Sequence, residues 1–383
     1  MSYWSRLKLT ESALYSSIRI RGYRGLDSFQ MRGLGRVNLL VGTNNSGKTS
    51  VLECIELLQS AGDPHVLSSI AGRRGEWGPA SEGDVRAPLG PGPEPLDVSH
   101  LFANRELRGT IDIEADHVGD TTATGWNDRV TVCVEEPSTS RHQKREPELG
   151  GDDDGRLLLR IKWSGTDDEY RALVTEDGLL LRPRRFVRRR DASGQAVEFV
   201  RTSGVTAVDV ARTFSKFVLT PKHEAIKHAL RIVEPNVEDL APIADDRTRF
   251  SRDAPGGVVL KLRGVADRVP IGSMGDGMWR MLGLALSIAN ADGGVLLVDE
   301  IDTGLHYTVM EDMWHMLSEA AAARSVQVFA TTHSHDCVLS LAAVSKSAAG
   351  GVTIQRIVRS RGEAVRVGGD AIVAAAERNL EVR

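Results

Sequence analysis

The sequence predicts an α/β fold with a mostly parallel core sheet, an antiparallel β subdomain and a helical lobe, and three observations carry that prediction. First, the Gly-rich stretch Gly42-Thr43-Asn44-Asn45-Ser46-Gly47-Lys48-Thr49 stands directly behind the apolar run from Val37 to Val41 and in front of a helical pattern from Ser50 to Leu58. Second, Val295-Leu296-Leu297-Val298 is an unbroken apolar run that ends in Asp299 and Glu300. Third, the run from Ser325 to Ala330 ends in hydroxyls and a histidine, Thr331-Thr332-His333-Ser334. Short, mostly apolar strands separated by helical periods are what a parallel sheet covered on both faces requires.

Composition sets the frame for these elements. At 383 residues and 41% hydrophobic content the chain has material for one large packed domain over residues 1–383. Core motifs fall in 16–60 and 258–358, with β and helical lobes and loops inserted over 61–257. No run approaches the ~18 apolar residues of a membrane span, and the N-terminal order is not that of a signal peptide, so a cytoplasmic protein without membrane contact is expected. Cys54, Cys133 and Cys337 are odd in number and widely spaced, which excludes a disulfide framework and suggests small apolar filler. A net charge of -4 makes the whole molecule no attractor of nucleic acid.

Taken in order, Ser17 to Leu26 alternates like a strand and leads through a second short strand into the Gly-rich loop, an antiparallel approach to a parallel core. In the loop, glycines at both ends let successive backbone N–H groups turn inward on an anion. Gly42, Asn44, Asn45, Ser46, Gly47, Lys48, Thr49 and Ser50 would form the cradle, Lys48 would reach the β- and γ-phosphates, and the Thr49 hydroxyl would ligate Mg²⁺. The expected ligands are ATP and Mg²⁺. From Gly62 to Pro95 glycine and proline suggest a long surface loop, and low-order segments are expected near 135–155 and 244–257. Arg156 to Trp163 predicts a strand. Thr220 to Arg231 predicts a helix capped by Thr220, with Pro221 in its first turn. No internal repeat or heptad run is present.

The acidic strand end supplies the next piece of chemistry. A carboxylate at the carboxyl end of a central parallel strand meets the ligand, so Asp299 would hold Mg²⁺ and Glu300 would orient and polarise an attacking water. His333, after the later strand, would contact the γ-phosphate and that water, while His335 reads as structural. Ser273-Met274-Gly275-Asp276-Gly277 precedes an apolar helix and forms a second anion site at a helix N-terminus. One chain needs a single cradle, so the second is expected to serve the nucleotide of another subunit.

The order of these motifs resembles the ATP-binding-cassette heads of the RecF, structural-maintenance-of-chromosomes and OLD (overcoming lysogenization defect) group. The opening Ile18-Arg19-Ile20-Arg21-Gly22-Tyr23-Arg24-Gly25-Leu26 and the Asn-Asn-Ser loop are most similar to OLD-like ATPases of anti-phage defence. The resemblance implies a head-to-tail ATP sandwich of two copies, with Ser273 and Gly275 of one closing on the γ-phosphate held by Lys48 of the other. It also places Asp302 across that interface. Such heads commonly carry a glutamine after the second strand as a Mg²⁺ sensor, yet none lies between Gln59 and Gln143. Either His100 takes that place or the contact is missing. No carboxylate cluster follows the final strands, so no nuclease activity is expected, and the implied role is an ATP-hydrolysing sensor or scaffold working with a separate effector. The alternative is a RecF-like repair ATPase that binds DNA through Arg184, Arg185, Arg188, Arg189 and Arg190.

Overall fold

The structure, a computed structural model, describes residues 15–78, 95–118, 128–136, 157–167, 169–175, 178–179, 196–204, 207–243, 257–345 and 351–368. A hairpin of β1 (Tyr15–Tyr23) and β2 (Leu26–Arg32) leads to β3 (Val37–Val41), α1 (Lys48–Gln59) and α2 (Pro64–Arg74). An antiparallel meander follows: β4 (Thr110–His117), β5 (Asp128–Glu135), β6 (Leu157–Trp163), β7 (Glu169–Thr175) and β8 (Gly178–Leu179). Then come β9 (Val197–Val200), α3 (Ala207–Ser215), α4 (Pro221–Val233), β10 (Val237–Pro242), β11 (Val258–Leu262), β12 (Val269–Pro270) and α5 (Asp276–Asn290). The chain continues through β13 (Val295–Val298), α6 (Met310–Ala323), β14 (Gln327–Thr331), α7 (His335–Val344), β15 (Val352–Val358) and β16 (Glu363–Gly368).

Thirteen strands form one sheet in the order β8-β7-β6-β5-β4-β1-β2-β16-β15-β3-β14-β13-β9, and β10-β11-β12 form a small second sheet. From β15 to β9 every pairing is parallel, and from β8 to β2 every pairing is antiparallel. The fold is therefore α/β, a mixed sheet with an antiparallel subdomain. Strand alternation between two buried layers explains why β13 is apolar at every position. Leu296 and Val298 of β13 join the layer under α4, α5 and α6, whereas Val295 and Leu297 join the layer under α1. Each such side chain contributes about 1.5–3 kcal/mol on full burial, so both layers depend on the same strand.

Three expectations change at this level. The stretch from Gly62 to Pro95 is not one loop: it opens with α2, and Asp63 Oδ1 accepts the His65 N–H at 2.9 Å. Pro64 stands in the first turn, Leu67, Ile70 and Ala71 are buried, and Gly75 closes the helix in the left-handed region at φ 68°. Proline near the start and glycine just past the end are helix boundaries, and the sequence reading took them for loop composition. Residues 79–94 lie outside the described residues. Within the stretch taken as inserted, β9 rejoins the parallel core beside β13. Cys54 and Cys337 are buried filler as expected, but Cys133 is only partly buried on β5, its Sγ 3.6 Å from Glu135 Oε1.

The remaining sequence-predicted elements form where expected. Thr220 stands at the N-cap of α4, although its hydroxyl donates backwards to the Phe217 carbonyl at 2.6 Å and does not cap a helix N–H. Of the low-order segments, 137–156 and 244–256 lie outside the described residues.

Candidate functional site

The Gly-rich loop folds as its glycines dictate. At Gly42 (φ 153°) a Cβ would stand 2.9 Å from Ser46 Oγ and 3.2 Å from the Ile357 carbonyl. Gly47 (φ 99°) is the left-handed N-cap of α1. Only glycine meets both the conformation and the space at Gly42. Thr43, Asn44 and Asn45 are exposed on the loop, while Ser46, Lys48 and Ser50 are buried. Lys48, 6% exposed, donates through Nζ to the carbonyls of Gly42 at 2.9 Å and Thr43 at 3.0 Å. Burial pushes its ammonium below the ordinary lysine value, against the pull of Asp299 and Glu300. The Ser50 hydroxyl accepts from Arg74 Nη2 at 3.4 Å.

Parallel pairing of β13 with β14, and of β14 with β3, brings the acidic strand end to this loop. Thr49 Oγ1 lies 3.2 Å from both carboxylate oxygens of Asp299. Thr331 Oγ1 donates to Asp299 Oδ1 at 2.7 Å and accepts the Glu300 N–H at 2.8 Å. Glu300 sits in the left-handed region at φ 46°, a conformation that costs a non-glycine residue energy. Its Oε2 accepts from Thr303 Oγ1 at 3.4 Å. His333 is exposed just beyond β14, and His335 is the first residue of α7.

These residues fit ATP and a magnesium ion by the chemistry of their donors. A hydroxyl beside a carboxylate is a hard oxygen pair, the kind Mg²⁺ takes when phosphate oxygens complete its shell. The Ser46 hydroxyl is buried with no hydrogen-bond partner among the described residues. An oxygen so placed in an anion cradle is satisfied when a ligand oxygen arrives.

The Ser273 segment forms a short 3₁₀ turn, Ile271–Met274, followed by Gly275 at φ 87° as the N-cap of α5. Ile271 is buried and Met274 packs on the core, which holds the turn while Ser273, Gly275 and Asp276 stay exposed. A Cβ on Gly277 would lie 3.3 Å from the Gly304 carbonyl, so the turn rests on the loop after β13. Asp302 of that loop is partly buried and accepts from its own chain's Thr332 Oγ1 at 2.5 Å. Among the described residues no hydrogen bond joins Ser273 to Gly277 with the phosphate loop of the same chain.

Two features escaped the sequence reading. Arg280 of α5, 6% exposed, donates to the carbonyls of Arg201 (2.8 Å), Asp299 (2.9 Å), Glu300 (2.6 Å) and Ile301 (3.5 Å). Burial lowers its basicity, and Asp302, Asp299 and Glu300 oppose that effect. The second is Thr202, whose Oγ1 reaches Asp299 Oδ2 at 3.4 Å from the turn after β9. His100, offered for the missing glutamine, lines a cavity together with Asn45 and Gly47, its Nε2 3.3 Å from Asp97 Oδ2. A lone threonine after a four-residue strand carries no motif that would have marked it.

On the β2 side of the loop a cavity of about 310 Å³ is lined by Arg24, Asn45, Arg74, His100, Arg105 and Arg359, among others. Beneath it Glu53, 1% exposed, accepts from Tyr23 Oη at 2.9 Å and Arg74 Nε at 2.7 Å and pairs with Arg24 Nε at 3.3 Å. The Tyr23-Arg24 step of the opening strand thus anchors α1 and α2 around the loop. On the outer face of the antiparallel sheet, Arg19, Arg21 and Arg129 pair with Glu114, and Arg160 pairs with Glu135 and Glu169. The basic cluster containing Arg184, Arg185, Arg188, Arg189 and Arg190 lies outside the described residues.

A mixed α/β sheet with a phosphate loop and an acidic strand end side by side defines a P-loop ATPase. The chain belongs to the family described as "AAA domain, putative AbiEii toxin, Type IV TA system", which matches residues 37–339. An uncharacterized protein of Methanocaldococcus jannaschii, MJECL10, is 30% identical over 99 residues, a stretch covering 24% of this chain and 44% of that protein. The chain thus spans less than half the length of this curated relative.

Among solved structures, an SMC head bound to the C-winged helix domain of ScpA aligns at 13% identity and TM-score 0.47, covering 93% of this chain and 98% of that one. The SMC head domain of Thermotoga maritima aligns at 12% and 0.40, covering 92% and 98%. An SMC head with an extended coiled coil, bound to the C-terminal domain of ScpA from Pyrococcus furiosus, aligns at 11% and 0.44, covering 96% and 99%. No helix among the described residues is long and apolar enough to cross a membrane.

Proposed function

We propose that this chain binds and hydrolyses ATP as a sandwich of two copies, and that it acts as a sensor or scaffold of anti-phage defence beside a separate effector. The observation that carries the enzymatic part is the 3.2 Å approach of Thr49 Oγ1 to both oxygens of Asp299, with Lys48 buried behind one and Glu300 next to the other. Lys48 exchanges the Gly42 and Thr43 carbonyls for β- and γ-phosphate oxygens, and the N–H groups of the loop take up the remaining charge. The cavity of about 310 Å³ beside Asn45 and Gly47 offers room for the nucleoside. Thr49 and Asp299 would hold Mg²⁺, which would supply charge neutralisation at the phosphates. Glu300 orients water and takes its proton, and His333, exposed on the same edge of the sheet, contacts the γ-phosphate.

The sandwich reading is supported by Ser273 and Gly275, exposed at a helix N-terminus that makes no hydrogen bond to its own phosphate loop among the described residues. Asp302 and its neighbours then lie at the junction of the two copies. The defence role draws on the family description, which names a toxin and a Type IV toxin–antitoxin system. Calorimetry with ATP, together with phosphate release, tests the first step. Absence of ATP binding by the intact chain in Mg²⁺ would overturn it.

A further inference from the structure

Gly25, in the turn between β1 and β2, takes no positive φ, unlike Gly22 (φ 71°) three residues before it, so a left-handed backbone is not what asks for glycine there. Space is what excludes a side chain: a Cβ on Gly25 would stand 2.5 Å from Arg359 Nη2 and 3.0 Å from Arg359 Cζ. The guanidinium of Arg359 lies across this turn, and its Nη1 reaches the Asn45 carbonyl of the phosphate loop at 3.5 Å. Both residues stand outside the stretch, 37–339, over which the chain matches its family.

Arg359 is held from behind. It opens a short 3₁₀ turn, Arg359–Arg361, that Gly362 closes at φ 64°, and the Gly362 carbonyl accepts the Gln30 N–H of β2 at 3.0 Å. β15, which leads into the turn, pairs in parallel with β3, the strand before the phosphate loop. The turn is therefore fixed to the strands on both sides of the loop's entrance, and only the far end of the Arg359 side chain is free to move.

Charge sorts the arginines around the 310 Å³ cavity. Arg24 pairs with Glu53 and Glu76, Arg74 pairs with Glu53, and His100 lies beside Asp97. Arg105 and Arg359 are exposed and form no ion pair with a carboxylate among the described residues. Arg359 thus presents an unneutralised charge and several N–H donors to whatever enters the cavity. The lining includes Asn45, Gly47 and Ser50 but not Lys48, Thr49 or Asp299. A nucleotide whose β- and γ-phosphates sit at Lys48 and Thr49 would direct its remaining phosphate and its sugar to this side.

We propose that Arg359, seated on Gly25, is a nucleotide-binding residue whose guanidinium meets the phosphate next to the sugar. The proposal rests on the reading that ATP binds at Lys48.

The test measures ADP affinity by calorimetry in EDTA, so that no metal contributes, with melting curves to verify folding. Arg359→Gln keeps a polar side chain and removes the charge, and it should bind ADP about ten- to a hundredfold more weakly, the scale of one lost hydrogen bond to a charged group. In Gly25→Ala the new methyl displaces only the flexible end of a side chain, so this variant should melt with the parent while its ADP affinity falls towards that of Arg359→Gln. The two changes combined should bind no more weakly than Arg359→Gln alone, because both remove one contact. Arg361→Gln, on the same turn but outside the cavity lining, should bind like the parent.

Parental ADP affinity in Arg359→Gln overturns the proposal. An equal loss in Arg361→Gln would reveal a diffuse field in place of a contact, and additive losses in the combined variant would mean that Gly25 and Arg359 act apart; either result also overturns it. So does a loss in Arg359→Gln that comes with a lowered melting temperature, which would make the residue a structural prop. Lys48→Ala keeps the two readings distinct. If it binds ADP like the parent, the nucleotide assignment itself fails, whereas loss of ADP there beside parental binding in Arg359→Gln removes this inference alone.

Discussion

Arg280 Nη2 donates to the Glu300 carbonyl at 2.6 Å, joining the helix behind the exposed Ser273 turn to the backbone of the acidic strand end. The guanidinium is buried and has no water to fall back on, so its bonds to four carbonyls of two segments are not replaceable by solvent. Arg280→Met keeps most of the volume and leaves those carbonyls without their donor. Equilibrium urea unfolding should show a loss of about 3 kcal/mol or more. A variant within 0.5 kcal/mol of the parent, roughly the scale of an ordinary surface change, would mean that the clamp is dispensable.

Lys48→Ala removes the only cation that the phosphate loop itself carries. ATP affinity should fall by about a hundredfold or more, on the scale of losing one pre-oriented donor in an electrostatic site. Calorimetry giving the parental affinity would contradict the assignment of the loop.

Asp299→Asn keeps the shape of the carboxylate and most of its threonine contacts but removes its charge. Mg²⁺ should then no longer strengthen nucleotide binding, as read from titrations with and without EDTA. An undiminished Mg²⁺ effect would move the metal away from Asp299.

Glu300→Gln should retain ATP and slow its hydrolysis by about 10²–10⁴-fold, the range for loss of a positioned base. If the Ser273 turn closes on a second copy as proposed, light scattering should record an ATP-dependent dimer or a tighter oligomer. Adding Ser273→Arg should abolish it. Assembly indifferent to both nucleotide and Ser273 would refute the shared site.

Under native conditions a thiol reagent should modify Cys133 alone, and slowly, since partial burial raises its thiol above the ordinary value. Cys54 and Cys337 are buried, and burial pushes the Cys337 thiol up to about 12. All three cysteines should react after denaturation. Rapid native labelling of Cys337 would show that the packing of α7 against α6 opens readily.

What was legible in the sequence was whatever local spacing decides. Gly42 and Gly47 announce a backbone curled too tightly for a side chain, and mostly apolar runs leading to Asp299 and Thr331 announce strands buried on both faces. These follow from sterics and burial within a few residues, so the α/β class, the phosphate loop and the acidic strand end could be read directly. Boundary residues were ambiguous where one residue type serves two purposes. Pro64 and Gly75 bracket α2, yet in composition they read as a loop.

Tertiary structure decided the contacts between distant segments. Sheet order sets β9 beside β13 although Val295, where β13 starts, lies 95 positions after Val200, and only that order carries Thr202 to Asp299 and Arg201 to Arg280. A threonine and an arginine have no spacing of their own to betray them. Their role is conferred by strands that meet edge to edge after folding, because hydrogen-bond pairing of the sheet, and not proximity along the chain, determines which side chains share a carboxylate.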